Sequence, residues 1–380
     1  MDFVADTYKS PSIKDCERIS RGTGCATKIT GPEQRRPNDF QKAMKSAFFK
    51  ESLLEFLSEE WKKDVYATLL GTCKLYFGFA NSCLLYEASS GKTTSKTVAE
   101  MACIHEEADT RIVWHLTHCT KEEGCRSVVV RSSDTDVLVV LLFHSLAYDV
   151  SLWMDVGNSG TNSRRFINIK DLRIYLGAEV CRALPGLHAF TGCDYTAAFS
   201  RKGKIRPFEI ALKSNRYLDA FGNLGESHEI SDKTSADMES FVCSLYGKPS
   251  LASVNDTRYS IFRTKYAPST ATHPLAKLKG ADPSLLPPSK PVLHQKLLRS
   301  NLVAHTWKNA HRPVACEMNP SELGWTLDDG KYKPLWYAGP QLPENVCQDI
   351  HRIDTINSEI EEECDNVAES DSTESSDDEF

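Results

Sequence analysis

The sequence predicts an α/β fold: a mostly parallel sheet with helices on both faces, three layers in all. Three observations carry this expectation. Between His105 and Lys213, short β-branched runs alternate with longer apolar stretches at helical spacing. Acidic residues recur just beyond the apolar runs, where open α/β sheets place their binding sites. The 380 residues are 41% hydrophobic and 9% aromatic, enough to fill a sizeable core.

Taken in order, Phe3-Val4-Ala5 reads as a short strand ending at Asp6. Residues 9–50 carry ten Lys/Arg against four Asp/Glu, and Gly22, Gly24, Gly31 and Pro32 make their first half loop-like. Met44, Ala47, Phe48, Leu54, Phe56, Leu57 and Trp61 recur near helical spacing over 40–63. Residues 74–79 and 83–86 read as strands, and 89–96 as a polar loop. A helix over 106–119 follows, with Ile112, Val113 and Leu116 on one side. Residues 127–131 form a continuous β-branched run, the pattern of a buried parallel strand. An apolar helix is expected over 137–146, strands over 152–154 and 165–169, a helix over 169–183, and turns over 184–198. Near the C-terminus, 292–310 has helical periodicity, with Lys296, Arg299 and Lys308 assigned to its polar side and Leu293, Leu297 and Val303 to its packed side. Asp328-Asp329-Gly330 suits a hairpin turn, although Pro334 makes the second strand an edge.

These elements suggest a main domain over 1–245, a Pro-rich linker-like stretch over 246–291, a C-terminal helix and hairpin extension over 292–350, and an acidic disordered tail over 351–380. The net charge of −7 hides a split: the last thirty residues carry −11, and residues 1–350 carry +4. The 13 cysteines are odd in number and include no CxxC pair. The first six residues lack the basic and apolar regions of a signal peptide, so reduced intracellular thiols are expected. The longest apolar window, 137–148, is too short to span a bilayer, and no membrane partner is expected.

Three acidic signatures stand out: His105-Glu106-Glu107-Ala108-Asp109-Thr110, Ser133-Asp134-Thr135-Asp136 and Gly192-Cys193-Asp194-Tyr195. Singly, each reads first as a helix cap. Together with Asp6 they would crowd six carboxylates onto one sheet edge, with Glu107 and Asp109 opening one helix and Asp194 another. Like charges that close raise one another's pKa unless cations compensate. Oxygen-only ligands suit Mg²⁺ or Mn²⁺, and two such ions support phosphodiester hydrolysis.

The ordered set Val4-Ala5-Asp6, Glu107-Ala108-Asp109, Asp134-Thr135-Asp136 and Gly192-Cys193-Asp194-Tyr195 resembles the motifs of the flap-endonuclease and PIN-like nuclease superfamily. The resemblance covers roughly residues 1–215. The wider pattern, HEEADTR, SSDTDV and LPGLHAFTGCD, is similar to a branch of animal proteins associated with mobile elements. The resemblance implies a three-layer PIN-like fold and a structure-specific nuclease. Asp6, Glu107, Asp109, Asp134, Asp136 and Asp194 would bind two Mg²⁺ or Mn²⁺ ions, with the last five named as catalytic. Three departures stand out, one being that the helical threading element of flap nucleases has only the basic segment 9–63 as a counterpart. The family's first strand brings a further Asp ahead of Asp6, where this chain has five residues, so an N-terminally shortened chain is expected. Asp109 stands where the family has Glu, one methylene shorter.

DNA or RNA is the expected partner, and a nuclear location follows only from that substrate. Arg201, Lys202, Lys204 and Arg206 follow Asp194, and Lys14, Arg18, Arg35 and Arg36 follow Asp6, as candidate phosphate contacts. The competing expectation is a catalytically degenerate nucleic-acid-binding or interaction protein derived from a mobile element. Ser90-Gly91-Lys92-Thr93 lacks the first Gly of a phosphate-binding loop, since Tyr86 stands there. His115, His118, Cys119 and Cys125 lack zinc-ligand spacing and read as packing. His188 reads as a packed, hydrogen-bonded histidine near the site.

Overall fold

The computed structural model describes residues 1–20, 27–157, 160, 163–266 and 282–339. Nine strands form three sheets among these residues, and the α/β class holds. In the first sheet, β1 (Asp2–Val4) pairs in parallel with β2 (Leu75–Phe79), which leads antiparallel into β3 (Ser82–Ser89) and β4 (Lys92–Thr97). In the second, β5 (Ser127–Arg131) runs parallel to β6 (Ser151–Val156), and β7 (Arg165–Asn168) is antiparallel to β6. β8 (Trp325–Asp328) and β9 (Lys331–Pro334) form the C-terminal hairpin, turning at Asp329 and Gly330 with positive φ.

The expectation of a mostly parallel sheet is therefore corrected, because among the described residues β1–β2 and β5–β6 are parallel and the other four strand pairs are antiparallel. The connections explain why. Two-residue turns at Ala80-Asn81 and Ser90-Gly91 join β2, β3 and β4, and so short a link allows only antiparallel neighbours. The second turn and β4 replace the polar loop expected over 89–96. The side chains of β4 are exposed on both faces, so no apolar alternation marks it as a strand.

Among the described residues the outer strands β1 and β5 each pair along one hydrogen-bonding edge alone. Tyr76 N–H to Met1 O and Ala5 N–H to Gly78 O turn the odd residues of β1 toward β2, leaving Asp2 and Val4 directed away. Likewise Ser151 N–H to Arg126 O and Ser132 N–H to Asp155 O leave Ser127, Val129 and Arg131 on the open side of β5. Val129 is 55% exposed, so β5 is parallel as expected but not buried.

Thirteen helices complete the described fold. α1 (Asp15–Ser20), α2 (Phe40–Ala43), α3 (Ala47–Glu60) and α4 (Ala67–Leu70) precede β2, with Asp39 capping α2 and Ser46 capping α3. Trp61, just past α3, packs on Phe3, Phe77 and Tyr86 of the first sheet. α5 (Ala108–Lys121) and α6 (Thr135–His144) flank β5 and share a core with Leu152 and Met154 of β6. The helix expected over 169–183 is two, α7 (Ile169–Leu176) and α8 (Ala178–Thr191), broken at Gly177 with φ +85°. α8 also runs through the segment expected to turn, because Pro185 and Gly186 are buried inside it. A side chain at Gly186 would strike the Phe221 carbonyl of the neighbouring helix.

α9 (Ile205–Leu212), α10 (Asn215–Asn223) and α11 (Asp232–Leu245) pack with α8 around Phe190, Phe221 and Phe241. The stretch expected as linker carries α12 (Val254–Tyr266) and a short 3₁₀ turn at Pro283–Leu285; residues 267–281 lie outside the described residues. α13 (Lys290–Lys308) is no peripheral extension, since its residues enter all three of the cores built around α8, β6 and the C-terminal hairpin. Residues Met1–Trp336 form one compact unit that runs through the boundary expected at 245. The tail expected over 351–380 lies outside the described residues. No helix among the described residues is long and apolar enough to cross a membrane.

Candidate functional site

The carboxyl ends of β1 and β5 come together around the start of α5. Asp6 follows β1, and its Oδ1 accepts the N–H of Ala108 at 2.9 Å, capping the first turn of α5 from outside the helix. Glu107 is the N-cap residue of α5, and Asp109 stands in its first turn. After β5, Asp134 caps α6 by accepting the N–H of Asp136 at 2.9 Å. Asp136 Oδ1 lies 2.8 Å from His188 Nε2 of α8, as befits the packed histidine expected there. The cap reading of Asp134 is thus realised, and Asp6 caps α5 as well, yet their carboxylates still act on a common neighbour. Burial first, then the charge of Asp134, raises the Asp109 carboxyl to about 7; Asp136 and Asp6 add to this, and Lys14 opposes it.

Asp194 does not open a helix, which corrects that expectation. It sits in a turn closed by Cys193 N–H to Thr196 O (3.0 Å) and Thr196 N–H to Cys193 O (3.2 Å), and α9 begins only at Ile205. Gly192, at φ +120°, packs against Ala198, so the turn has no room for a side chain there. The Asp194 carboxylate meets Lys14 Nζ at 3.3 Å, and the same ammonium pairs with Glu107 and lies 5.5 Å from the centre of the Tyr195 ring. The sequence puts Lys14 among the phosphate contacts; the structure seats it within the acidic cluster. Glu106, absent from the predicted ligands, is held by Arg18 Nη2 at 2.8 Å and by the Ser12 hydroxyl. Residues 9–18 thereby cover the acidic edge.

Asp155, at the end of β6, is a further strand-end acid, but Arg131 (2.6 Å) and Arg164 (2.8 Å) occupy it. Arg111 of the HEEADTR motif is fully buried. It donates to Thr7 Oγ1 (2.9 Å), His105 O (3.1 Å) and Ala80 O, tying α5 to the ends of β1 and β2. Beside the carboxylates lies a cavity of about 280 Å³, lined in part by Glu106, Glu107, Tyr195 and Trp307.

The basic residues divide. Lys204 Nζ donates to His188 O, Thr191 Oγ1 and Gly192 O, bracing the end of α8; desolvation of the amine lowers it to about 8, although the residue as a whole keeps an exposed surface. Lys202 lies 4.2 Å over the Tyr246 ring, while Arg201 and Arg206 are exposed. Arg35 and Arg36 line a separate shallow groove with Phe40 and Phe56. His115 pairs with Asp2 at 2.8 Å and His118 meets the Tyr76 ring at 5.4 Å, in keeping with packing roles.

No group of three His, Cys, Asp or Glu side chains among the described residues is arranged to hold a metal ion as it stands. The donor set nevertheless suits a hard divalent cation: it is all oxygen, partly buried, and mutually repulsive at Asp109. No known family model, curated protein or solved structure matches this chain.

Proposed function

We propose that this chain is a divalent-cation-dependent nuclease of PIN-like, three-layer type, hydrolysing phosphodiester bonds in DNA or RNA. The observation that supports this reading most is the convergence on Asp109. Burial first, and then carboxylates from the ends of β1 and β5, raise it to about 7, and an ammonium from outside the sheets lies among these acids as counter-charge. Such repulsion costs stability, and a fold that keeps it gains from cation binding at that point.

Asp109, Asp134, Asp136 and Asp194 would hold Mg²⁺ or Mn²⁺, with Glu107 and Asp6 as further oxygen donors. Bound as a pair, such ions supply a water nucleophile and neutralise the leaving oxygen. The protein's own part is positional. His188 fixes the orientation of Asp136 at 2.8 Å, and the cap that Asp6 gives α5 fixes Glu107 and Asp109 against β1. Lys14, held here by Glu107 and Asp194, would be available to an incoming phosphate if those carboxylates served as cation ligands, and its charge would favour the anionic backbone. The exposed Arg201 and Arg206 would add phosphate contacts of their own.

A second reading has its own support. Asp6 and Asp134 already serve as caps, and Lys14 already neutralises Glu107 and Asp194, as in a degenerate binding module whose acids have become structural. Cleavage of end-labelled flap, hairpin and single-stranded DNA and RNA in Mn²⁺ separates the two. The nuclease reading expects cleavage that falls at least about 10³-fold in Asp134→Asn/Asp136→Asn. Nucleic-acid binding without cleavage by the folded parent protein would establish the second reading instead.

A further inference from the structure

α13 carries two buried cations, Lys296 and Arg299, that no carboxylate among the described residues neutralises. Lys296 is 7% exposed and Arg299 2% exposed, and neither is in an ion pair among the described residues. Lys296 Nζ donates to Ala197 O and lies 4.7 Å from the Phe199 ring centre. Arg299 Nη1 donates to Gly324 O (3.1 Å) and Leu335 O (2.6 Å), and its guanidinium stacks 5.1 Å over Trp336. Carbonyls and ring faces satisfy some donors but supply no formal negative charge, and burying an unpaired ion costs several kcal/mol.

Both side chains line one cavity of about 340 Å³, together with Arg258, Phe199, Tyr246 and Trp336. No acidic residue lines it among the described residues. Asp282, close by at Ser284, is engaged by Ser284 itself and lies 3.8 Å from Arg201. Among the described residues the cavity thus combines three cations and flat apolar walls with no anion.

We propose that this cavity is an oxyanion site for a phosphate group, with Lys296, Arg299 and Arg258 supplying charge and donors. The aromatic walls suit a base carried by that phosphate. The site is separate from the acidic cluster and does not depend on nuclease activity.

The surroundings of Lys296 also give the site a pH dependence. Burial first, then repulsion by Arg299 and Lys204, lowers its ammonium to about 7, while Cys193 opposes the shift. Arg258 and Tyr246 face the same cavity from α12 and from the end of α11. A bound anion favours the charged amine, so binding takes up protons near pH 7 and weakens as pH rises beyond it.

Isothermal titration with sulfate, whose charge is constant over this range, tests the proposal at fixed ionic strength. The expected result is one saturable site, roughly ten- to a hundredfold weaker in Lys296→Met and in Arg258→Gln, and weaker at pH 8.5 than at pH 6. Arg299→Leu is not the primary variant because it removes two backbone bonds, to Gly324 and Leu335, whereas Lys296→Met and Arg258→Gln each remove one, to Ala197 and Pro287. Adenosine monophosphate binding tighter than inorganic phosphate identifies a mononucleotide as the source. Displacement of sulfate by a single-stranded octanucleotide that outcompetes adenosine monophosphate identifies a nucleic-acid backbone. Absence of saturable sulfate binding to the folded parent, or equal binding in parent and Lys296→Met, overturns the proposal.

Discussion

Asp109→Asn is expected to raise the unfolding free energy of the cation-free protein by on the order of 2–4 kcal/mol above pH 7, and by little at pH 4. The Asp109 carboxyl lies near pH 7 in the fold, against 3.8 for an ordinary aspartate, through burial and the charges of Asp134, Asp136 and Asp6. The native state therefore holds this proton more tightly than the unfolded chain does. The associated stability is fully present below about pH 4, declines as pH rises, and is gone once pH passes about 7. A tenfold difference in proton affinity between the two states is worth about 1.4 kcal/mol, and the lower bound of the range allows for a partly solvated site. Asparagine keeps the shape and never ionises, so it avoids the loss. Urea unfolding of parent and variant at pH 4 and pH 8 measures the effect; equal differences at both pH values would show that Asp109 carries no such strain.

Lys14→Met should have the opposite sign and a comparable size. Lys14 pairs with Glu107, which is 8% exposed, and also with Asp194 at 3.3 Å. Removing one partner of a buried pair leaves the other charge desolvated and unpaired, which costs about 3–5 kcal/mol. In cation-free buffer the variant should lose about that much, and millimolar Mn²⁺ should restore a large part of it by replacing the ammonium. Thermal unfolding of both proteins with and without Mn²⁺ gives the comparison. A variant as stable as the parent would mean that the ammonium contributes little to the cluster.

The acidic edge is legible in the sequence to the extent that its causes are local. Asp134 and Asp136 precede an apolar run, Glu107 and Asp109 open another helix, and each is read from its own few neighbours. The place of Lys14 is not legible, because its partners lie about 90 and 180 residues away in the chain, and a lysine in a polar segment gives no sign of them. The turn at Asp194 resembles a helix start in sequence, since its closure depends on Gly192 packing against Ala198.

α13 shows the same limit more sharply. Lys296, Arg299 and Lys308 fall at helical spacing and read as a solvated stripe, since such residues are rarely buried. All three are buried, because carbonyls of Ala197, Gly324 and Gly222, contributed by other segments, receive them. The expectation of a mostly parallel sheet fails for a related reason. Strand pairing depends on turn geometry at Ala80-Asn81 and Ser90-Gly91, whose positive-φ residues Ala80 and Ser90 are not the usual ones for such positions.

The acids at the ends of β1 and β5 are proposed to form a cation site. Titration of Mn²⁺ into the cation-free protein, followed by the electron paramagnetic resonance signal of the free ion, tests it directly. The account predicts saturable binding in the parent, loss of that binding in Asp134→Asn/Asp136→Asn, and stronger binding in Lys14→Met, where no ammonium competes. A folded parent that leaves all the Mn²⁺ free, or binding that survives in the double variant, would contradict it.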